Sequence, residues 1–461
     1  MIVGQNFSIR STKFKVEKYH ELLTVTIVMH ELPLSFVEYI GVRALLSYLH
    51  PEVTMISRNT MKSDLFKMNK REKAKMKHML EETQALICLT GYLWTSITTD
   101  GYLAITVHFI DKEWVLQKRV LDFSFMPPPH TGVAISEKVY SILEEWGLEK
   151  KIFSVTLDNA SSNNVFVGLL KDQLNTRQTL VCGGDFFHLR CAAHILNLVV
   201  QDGLQEIDGS VGKIRESIKY VRGSQARKQK FLECVKLLAL NGKKGLSQDV
   251  PTRWNSTYLM LESAIFYRRA FCHLELSDSN YKSCPTSEEW EKIEKICTFL
   301  GVFYEITRVF SGSKYPTSNL FFPSVFIAYL ALHENMSSSD EYMKRMAELM
   351  MAKFEKYWCD FSLILAIAVI LDPRYKIDFV DWSYSKIYGS NSSQFQEVVG
   401  KLFSTFNEYV AKNAPTTPPV EKTSSKSTDS DVIFGTSRCV KETFQVLFFA
   451  YICLMFSTIN Y

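Results

Sequence analysis

Residues 151–174 read KIFSVTLDNASSNNVFVGLLKDQL, and residues 186–200 read FFHLRCAAHILNLVV. The run Ile152 to Leu157 is apolar and rich in β-formers, which predicts a buried strand. It leads straight into Asp158, followed by Asn159, Ser161 and Ser162, residue types that favour turns and helix starts; a helix is expected over about 163–174. Phe186 to Leu189 predicts a second strand, which passes through Cys191 and His194 into an apolar helix over 192–205. A carboxylate at the C-terminal end of a strand in an α/β unit is where metal-dependent nucleases place a ligand. The rest of the chain decides whether Asp158 has the partners such a site needs.

Upstream of this stretch lies a strand series. Ala85 to Thr90 is a short apolar run, Tyr102 to Ile110 alternates, and Val115 to Phe123 is a third candidate. MPPPH at 126–130 forbids regular structure, and Ala134 to Leu148 places Ile135, Val139, Ile142, Leu143 and Trp146 on one side of a helix. The order β-β-β-α-β-α-β-α matches the ribonuclease H-like fold, a mixed sheet flanked by helices.

On either side the pattern is helical, so the fold class expected is α/β plus all-α. Residues 1–83 form an N-terminal helical region, in which seven basic residues between Lys62 and Lys77 face only Asp64 and Glu72. Residues 84–209 form the ribonuclease H-like core and 210–412 a large helical insertion. There, helices are expected at roughly 254–275, 287–311, 323–334, 340–358 and 360–370, with irregular LDPRYK after the last. A basic helix over 213–230 carries Lys213, Arg215, Lys219, Arg222, Arg227, Lys228 and Lys230 against Glu216 alone. Each basic run reads either as a phosphate-contacting surface or as a solvated helix face. Residues 413–461 are a Pro/Ser/Thr-rich linker, expected to be disordered, and an apolar tail. The tail, FQVLFFAYICLMFSTI at 444–459, is shorter than the roughly 20 residues of a bilayer span. It reads as a tail anchor, a buried element or, the favoured option, the non-native end of a mispredicted reading frame. No membrane association is expected.

With 461 residues, two or three domains are expected, and 46% apolar with 22% charged residues fits a folded soluble protein. A net charge of +4 says little about partners, so any nucleic-acid contact must come from local clusters. The ten Cys show no Cys-x-x-Cys spacing, which fits reduced intracellular thiols. No charged segment followed by an apolar block opens the chain, so secretion is not expected.

Three motifs, TLDNASSNN at 156–164, FHLRCAAHILNLVV at 187–200 and VPTRWNSTYLML at 250–261, resemble the core motifs of hAT-superfamily transposases. The likeness is to plant domesticated members of the RICESLEEPER and DAYSLEEPER type, in the zinc finger BED domain-containing family. ELPLSFVEYIGVRALLSYLHP at 31–51 and LDPRYK at 371–376 are similar to those proteins too. The resemblance spans about residues 28–412. It implies a BED-type zinc finger first, then a helical region, a ribonuclease H-like core interrupted by an all-helical insertion, and a C-terminal dimerisation segment. Residues 1–83 hold His20, His30, His50 and His78 but no Cys, so the chain is expected to lack the finger and, at its other end, the dimerisation segment.

The resemblance also implies a catalytic site of two Asp and one Glu holding two divalent metals. Asp158 matches the second Asp. The first belongs to a T-x-D-x-W-T-S pattern that here reads Thr90-Gly91-Tyr92-Leu93-Trp94-Thr95-Ser96, with Tyr92 at the Asp position. A neutral phenol does not replace a bridging carboxylate. The Glu falls in a region this chain does not carry. Asp158 is therefore read as vestigial, a turn or helix-capping residue, and strand cleavage is expected to be lost. Cys191 and His194, with His188 and Cys182, suggest zinc, but their spacing matches no common finger, and a packing role for these core-motif residues is favoured. No metal or other cofactor is expected. Arg253 and Trp254 match a family position whose Trp holds a flipped base; the plain alternative is a helix start packed in the core.

These readings lead to a non-catalytic nuclear protein that binds DNA weakly and without sequence preference, with other proteins as further candidate partners and no small-molecule substrate. The alternatives are a Mg²⁺-dependent nuclease using Asp158 with Asp100 or Asp111, and a transposon-derived fragment without selected function.

Overall fold

The computed structural model describes residues 2–3, 9–10, 14–96, 98–160, 162–176, 179–205, 209–240, 245–250, 253–312, 315–358 and 362–413. The linker and the apolar tail at 444–459 lie outside the described residues. The chain forms two compact units, Met1–Gln84 and Ala85–Tyr461.

In the first unit a minimal hairpin pairs β1 (Ile2–Val3) with β2 (Ile9–Arg10), followed by α1 (Val16–Met29), a 3₁₀ turn at Leu34–Glu38, α2 (Ile40–Leu49) and α3 (Arg58–Glu82). Ile27, Val37, Ile56 and Met61 form its core. Ser57 caps α3 by accepting a 3.2 Å bond from the Thr60 N–H, which satisfies one of the orphan donors at a helix start. Several cations of α3 are matched within this unit: Lys67 pairs with Asp64, Arg71 with Glu21 and Glu72, and Lys75 with Glu72. The basic run of 62–77 is thus in good part a salt-bridged face.

The second unit is built on a five-stranded sheet. β3 (Ile87–Thr95), β4 (Gly101–Ile110) and β5 (Leu116–Phe125) form an antiparallel meander, then α4 (Gly132–Trp146), β6 (Ile152–Leu157), α5 (Ser162–Asn175), β7 (His188–Arg190) and α6 (Ala192–Leu204) alternate. The strand order is β5-β4-β3-β6-β7, with β6 parallel to both β3 and β7. This is the ribonuclease H-like arrangement that the element order predicts. All six residues of β6 are buried, as expected of a central parallel strand covered on both faces. Thr131 caps α4 through the Ala134 N–H, and Gly147, at φ +68°, ends it in the left-handed conformation that glycine adopts without strain. At Gly132 a Cβ would lie 2.7 Å from the Phe166 amide and the Ser162 carbonyl, so a glycine lets the starts of α4 and α5 touch.

Ten helices follow: α7 (Gly209–Arg222), α8 (Gln225–Leu237), α9 (Trp254–Phe266), α10 (Arg268–Ser277), α11 (Ser287–Phe310), α12 (Ser318–Met336), α13 (Glu341–Trp358), α14 (Ser362–Ile370), α15 (Lys376–Tyr388) and α16 (Ser393–Asn413). They share one apolar core with the sheet: Phe153, Phe186 and Leu189 pack in the same cluster as Val199, Ile214, Leu261, Phe303 and Leu365. The α7 residues Ile214 and Ile218 and the α13 residues Met346 and Met350 are wholly buried.

Three expectations about elements are corrected. The single basic helix over 213–230 is two helices, broken at Gly223 and Ser224, where the Ser224 hydroxyl caps α8 through the Arg227 N–H. The helix expected over 254–275 breaks at Tyr267 into α9 and α10. The strand expected over 186–189 begins only at His188, because Phe186 and Phe187 close the turn before it. LDPRYK is irregular up to Tyr375, and Lys376 then starts α15. Its Asp372 is buried and accepts from the Asn319 amide at 2.7 Å and from the Arg374 backbone and guanidinium at 2.7–3.2 Å, tying α12 to this turn.

Candidate functional site

Asp158 follows the last residue of β6, and its carboxylate is spent locally. Oδ1 accepts from the Ala160 N–H at 3.1 Å and from the Asn163 side-chain amide at 2.7 Å; the same amide also donates to the Asp158 carbonyl at 2.9 Å. This is an Asx turn locked to the first turn of α5, the geometry that Asp and Asn side chains provide at strand–helix junctions.

The sheet register fixes what lies beside it. Cys88, Leu89 and Thr90 of β3 pair with Ser154, Val155 and Thr156 of β6. Thr90–Thr156 is the last pair of this ladder; carried two residues further along both chains, the register points to Tyr92 as the β3 neighbour of Asp158, since side chains two apart share a face. Tyr92 is in turn opposite Ala104, and Ala104 opposite Phe123. The position next to Asp158 is therefore occupied by a phenol. The two carboxylates offered as replacements do not reach it. Asp111 lies in the β4–β5 turn, at the other end of the sheet, where it accepts from the Glu113 and Val115 N–H groups and from the Gln117 amide. Asp100 is at the same end as Asp158 but in the β3–β4 turn, held by the Thr98 hydroxyl at 2.9 Å and by its own N–H on the Ser96 hydroxyl. Among the described residues no group of three or more His, Cys, Asp or Glu side chains is placed to hold a metal ion.

Cys191 follows β7 as Asp158 follows β6, and its N–H donates to the Leu157 carbonyl at 2.7 Å. It is buried, it starts α6, and burial pushes its thiol up, partly offset by the amides of His194 and Ala193. His194, one turn into α6, is pushed down by burial and partly restored by the Asp158 charge. The two core-motif residues thus border the Asp158 turn. Cys182 lies elsewhere: its thiol is 3.3 Å from the Thr405 hydroxyl of α16 and its N–H donates to Glu408. His188 is pushed down to about 4, mainly by burial, and among the described residues its Nε2 finds no hydrogen-bond partner.

The expected nucleic-acid residues are scattered and mostly engaged. Lys213 pairs with Glu289 at 2.7 Å. Arg215 donates to Asp249 at 2.8 Å, and Asp249 also accepts from the Thr257 hydroxyl of α9. Lys219 pairs with Glu216, and Lys230 is 3.3 Å from Asp278. Arg227 lies 4.2 Å over the Tyr220 ring. Arg222 and Lys228 are exposed, and among the described residues neither is within ion-pair distance of a carboxylate. Arg253 is exposed at the start of α9, whereas Trp254 is only 2% exposed. Of the two readings of Trp254, this placement is the packed one: its indole belongs to the core cluster that also holds Leu261 of α9 and Phe303 of α11. VPTRWNS is instead a folding staple: the Ser256 hydroxyl bridges the Val250 N–H, the Val250 carbonyl and the Arg253 carbonyl, and buried Asp249 holds α7 against α9. Sequence reading passed over Asp249; its one signal is an acidic residue directly before a motif otherwise made of turn and helix-start residues.

Comparison with known proteins agrees with the sheet order. Family models described as "ZBED1 RNase-like domain", "ZBED1 RNase-like helical domain" and "hAT-like transposase, RNase-H fold" match residues 90–186, 189–299 and 319–409. The chain belongs to the hAT superfamily of transposase-like proteins. It is 37% identical to the zinc finger BED domain-containing protein RICESLEEPER 2 of Oryza sativa subsp. japonica, over 88% of this chain and 56% of that one. It is 35% identical to a putative AC transposase of Zea mays, over 90% and 52% of the two chains, and 31% identical to DAYSLEEPER of Arabidopsis thaliana, over 89% and 59%. This hAT-family chain therefore spans somewhat over half the length of these relatives. The third family model, whose name refers to the RNase-H fold, falls here on α12–α16, which are helical throughout. No helix among the described residues is long and apolar enough to cross a membrane.

Proposed function

We propose that this hAT-family chain is catalytically inactive and acts in the nucleus as a DNA-associated interaction protein. What supports the reading is the register of β3 against β6: carried two residues past its last pair, Thr90 with Thr156, it brings the Tyr92 phenol to where a second carboxylate would have to stand beside Asp158. Two-metal phosphodiester chemistry needs several oxygen anions converging within a few ångströms, because Mg²⁺ prefers hard, charged ligands. A protonated phenol supplies no such charge near neutral pH.

DNA contact in this reading is electrostatic and sparse. On α7 and α8, Lys213, Arg215, Lys219 and Lys230 are tied to Glu289, Asp249, Glu216 and Asp278, while Arg222 and Lys228 are exposed cationic positions. Few phosphate contacts mean weak affinity, steep loss with salt and little discrimination between sequences. Relatives named as zinc finger BED domain-containing proteins support the DNA part, and protein partners belong to the same proposal. The test is a salt titration of DNA binding by the full chain, alongside Asp158→Ala, with and without Mg²⁺. The expected result is binding at low salt that fades by moderate salt and is the same for both proteins and both metal conditions. No binding at low salt contradicts the DNA part, and binding that depends on Mg²⁺ and Asp158 contradicts the inactive site.

A further inference from the structure

One face of the meander is left open near the Asp158 end of the sheet. Trp94 of β3 sits opposite Tyr102 of β4, and Tyr102 opposite Phe125 of β5; in the next row Ala104 sits opposite Phe123. All of these side chains project from the face that carries Tyr92. Their rings touch: Tyr102 and Phe123 are stacked at 5.5 Å and 17°, Trp94 lies 5.2 Å from Phe123 and 6.1 Å from Tyr102, and Phe125 meets Tyr102 at 6.0 Å. Trp94 is 42% exposed, Phe123 60% and Phe125 52%. Four rings in contact with three of them half in water is an unusual use of aromatic surface, since such clusters ordinarily close a core.

We infer that this platform binds unpaired nucleobases by stacking, which makes single-stranded DNA the preferred form of the ligand. The inference rests on the nucleic-acid reading proposed above and deepens it. Two features favour bases over an apolar protein segment. The rings lie on one sheet face rather than around a groove, so they offer flat π surfaces in place of pockets for branched side chains. The same strand carries Lys118, which pairs with His108 on the ring face two rows beyond Phe123; it is exposed, and among the described residues it is not within ion-pair distance of a carboxylate, so a cation for a phosphate backbone shares the face of the stacking surface. β5 is also the edge of the sheet, which leaves room for a strand of nucleic acid to run along it.

The experiment compares binding of a fluorescein-labelled 20-nucleotide oligo(dT) with binding of a duplex of equal length at low salt, using the full chain. The variants are Phe123→Ala with Phe125→Ala, and Phe123→Leu with Phe125→Leu, which keep apolar volume but lose the π face. Both ring positions are exposed, and a thermal melt checks that each variant retains the parent's folding. The expected result is tighter binding of oligo(dT) than of duplex, a loss of about 5- to 150-fold for oligo(dT) in both double variants, and little change for duplex. Equal binding of the two DNA forms overturns the inference, as does oligo(dT) binding unaffected by either double variant. Retention in the leucine pair with loss in the alanine pair also overturns it, by showing an apolar and not a stacking contact. A chain that binds neither form at low salt overturns both this inference and the function it rests on; a chain that binds both forms alike overturns this inference alone.

Discussion

Two aspartates beside family motifs behave in opposite ways. Asp249, next to VPTRWNS, is buried and bonded to Arg215 and Thr257, two residues on different helices, so its charge joins α7 to α9. Asp158, in TLDNASSNN, is half-buried and bonded only to groups within five residues of itself. The first is a fold-holding residue in a place where resemblance points to DNA contact. The second is a local turn in a place where resemblance points to metal. A motif's presence marks ancestry, while the partners its residues have acquired mark what they now do.

This contrast sets the order of expected effects. Asp249→Ala leaves the Arg215 guanidinium facing a part-buried site without its anion, and loss of one partner of such a pair costs about 3–5 kcal/mol. Urea unfolding followed by circular dichroism is expected to show that loss; a change below about 1 kcal/mol would remove Asp249 from its structural role.

A pH effect comes next. Burial holds His108 at about 3, with its Nε2 3.1 Å from the Thr90 hydroxyl, and holds His188 at about 4, against 6.5 for the free side chain. The unfolded chain takes up these protons first, so the contribution is complete above about pH 6.5 and is lost as pH falls from there, toward about 4 for His188 and about 3 for His108. Melting temperature is expected to drop across that window, with a shallower drop in His108→Gln/His188→Gln. An unchanged slope in that variant would assign the loss to other groups.

Asp158→Ala is expected to cost only about 1 kcal/mol, the usual scale for losing a capping or turn carboxylate, measured in the same urea titration. A loss comparable to that of Asp249→Ala would erase the difference between the two motifs. Tyr92→Asp sharpens it from the other side. Placing a second carboxylate beside Asp158 is expected to create measurable Mn²⁺ affinity by isothermal titration calorimetry where the parent chain has none. If Tyr92→Asp remains without heat of binding, the register does not bring positions 92 and 158 together as described.

Much of the fold was legible because it depends on local pattern. β6 was read with its observed bounds, Ile152–Leu157, since a six-residue apolar run ended by Asp admits few other readings. The mixed, ribonuclease H-like sheet follows from the sequence of elements, whereas the strand order itself comes from the structure. The helix breaks were not read. Gly223-Ser224 carries the signal of a stop and a cap, but it sits inside a dense basic run that reads as one face. Tyr267 has neither Gly nor Pro to mark it, and the break there shows only in three dimensions.

At the candidate site, Tyr92 is legible only through the family resemblance, as the residue at the Asp position of the T-x-D-x-W-T-S pattern. The engagement of Arg215 with Asp249, 34 residues away, and of Lys230 with Asp278 was not, because pairing between helices depends on tertiary packing. Trp254 was read with two outcomes open, stacking or packing, and its burial is decided by how α9 lies against its neighbours. The open face of Trp94, Tyr102, Phe123 and Phe125 was invisible for the same reason: three strands contribute to it, and only their register aligns the rings.

The most direct measurement is a plasmid-nicking assay with the purified full chain in Mg²⁺ and in Mn²⁺. With Tyr92 in place of a carboxylate, supercoiled DNA is expected to stay intact in both metals at protein concentrations that bind it. Metal-dependent nicking by the parent chain that disappears in Asp158→Ala would contradict the account.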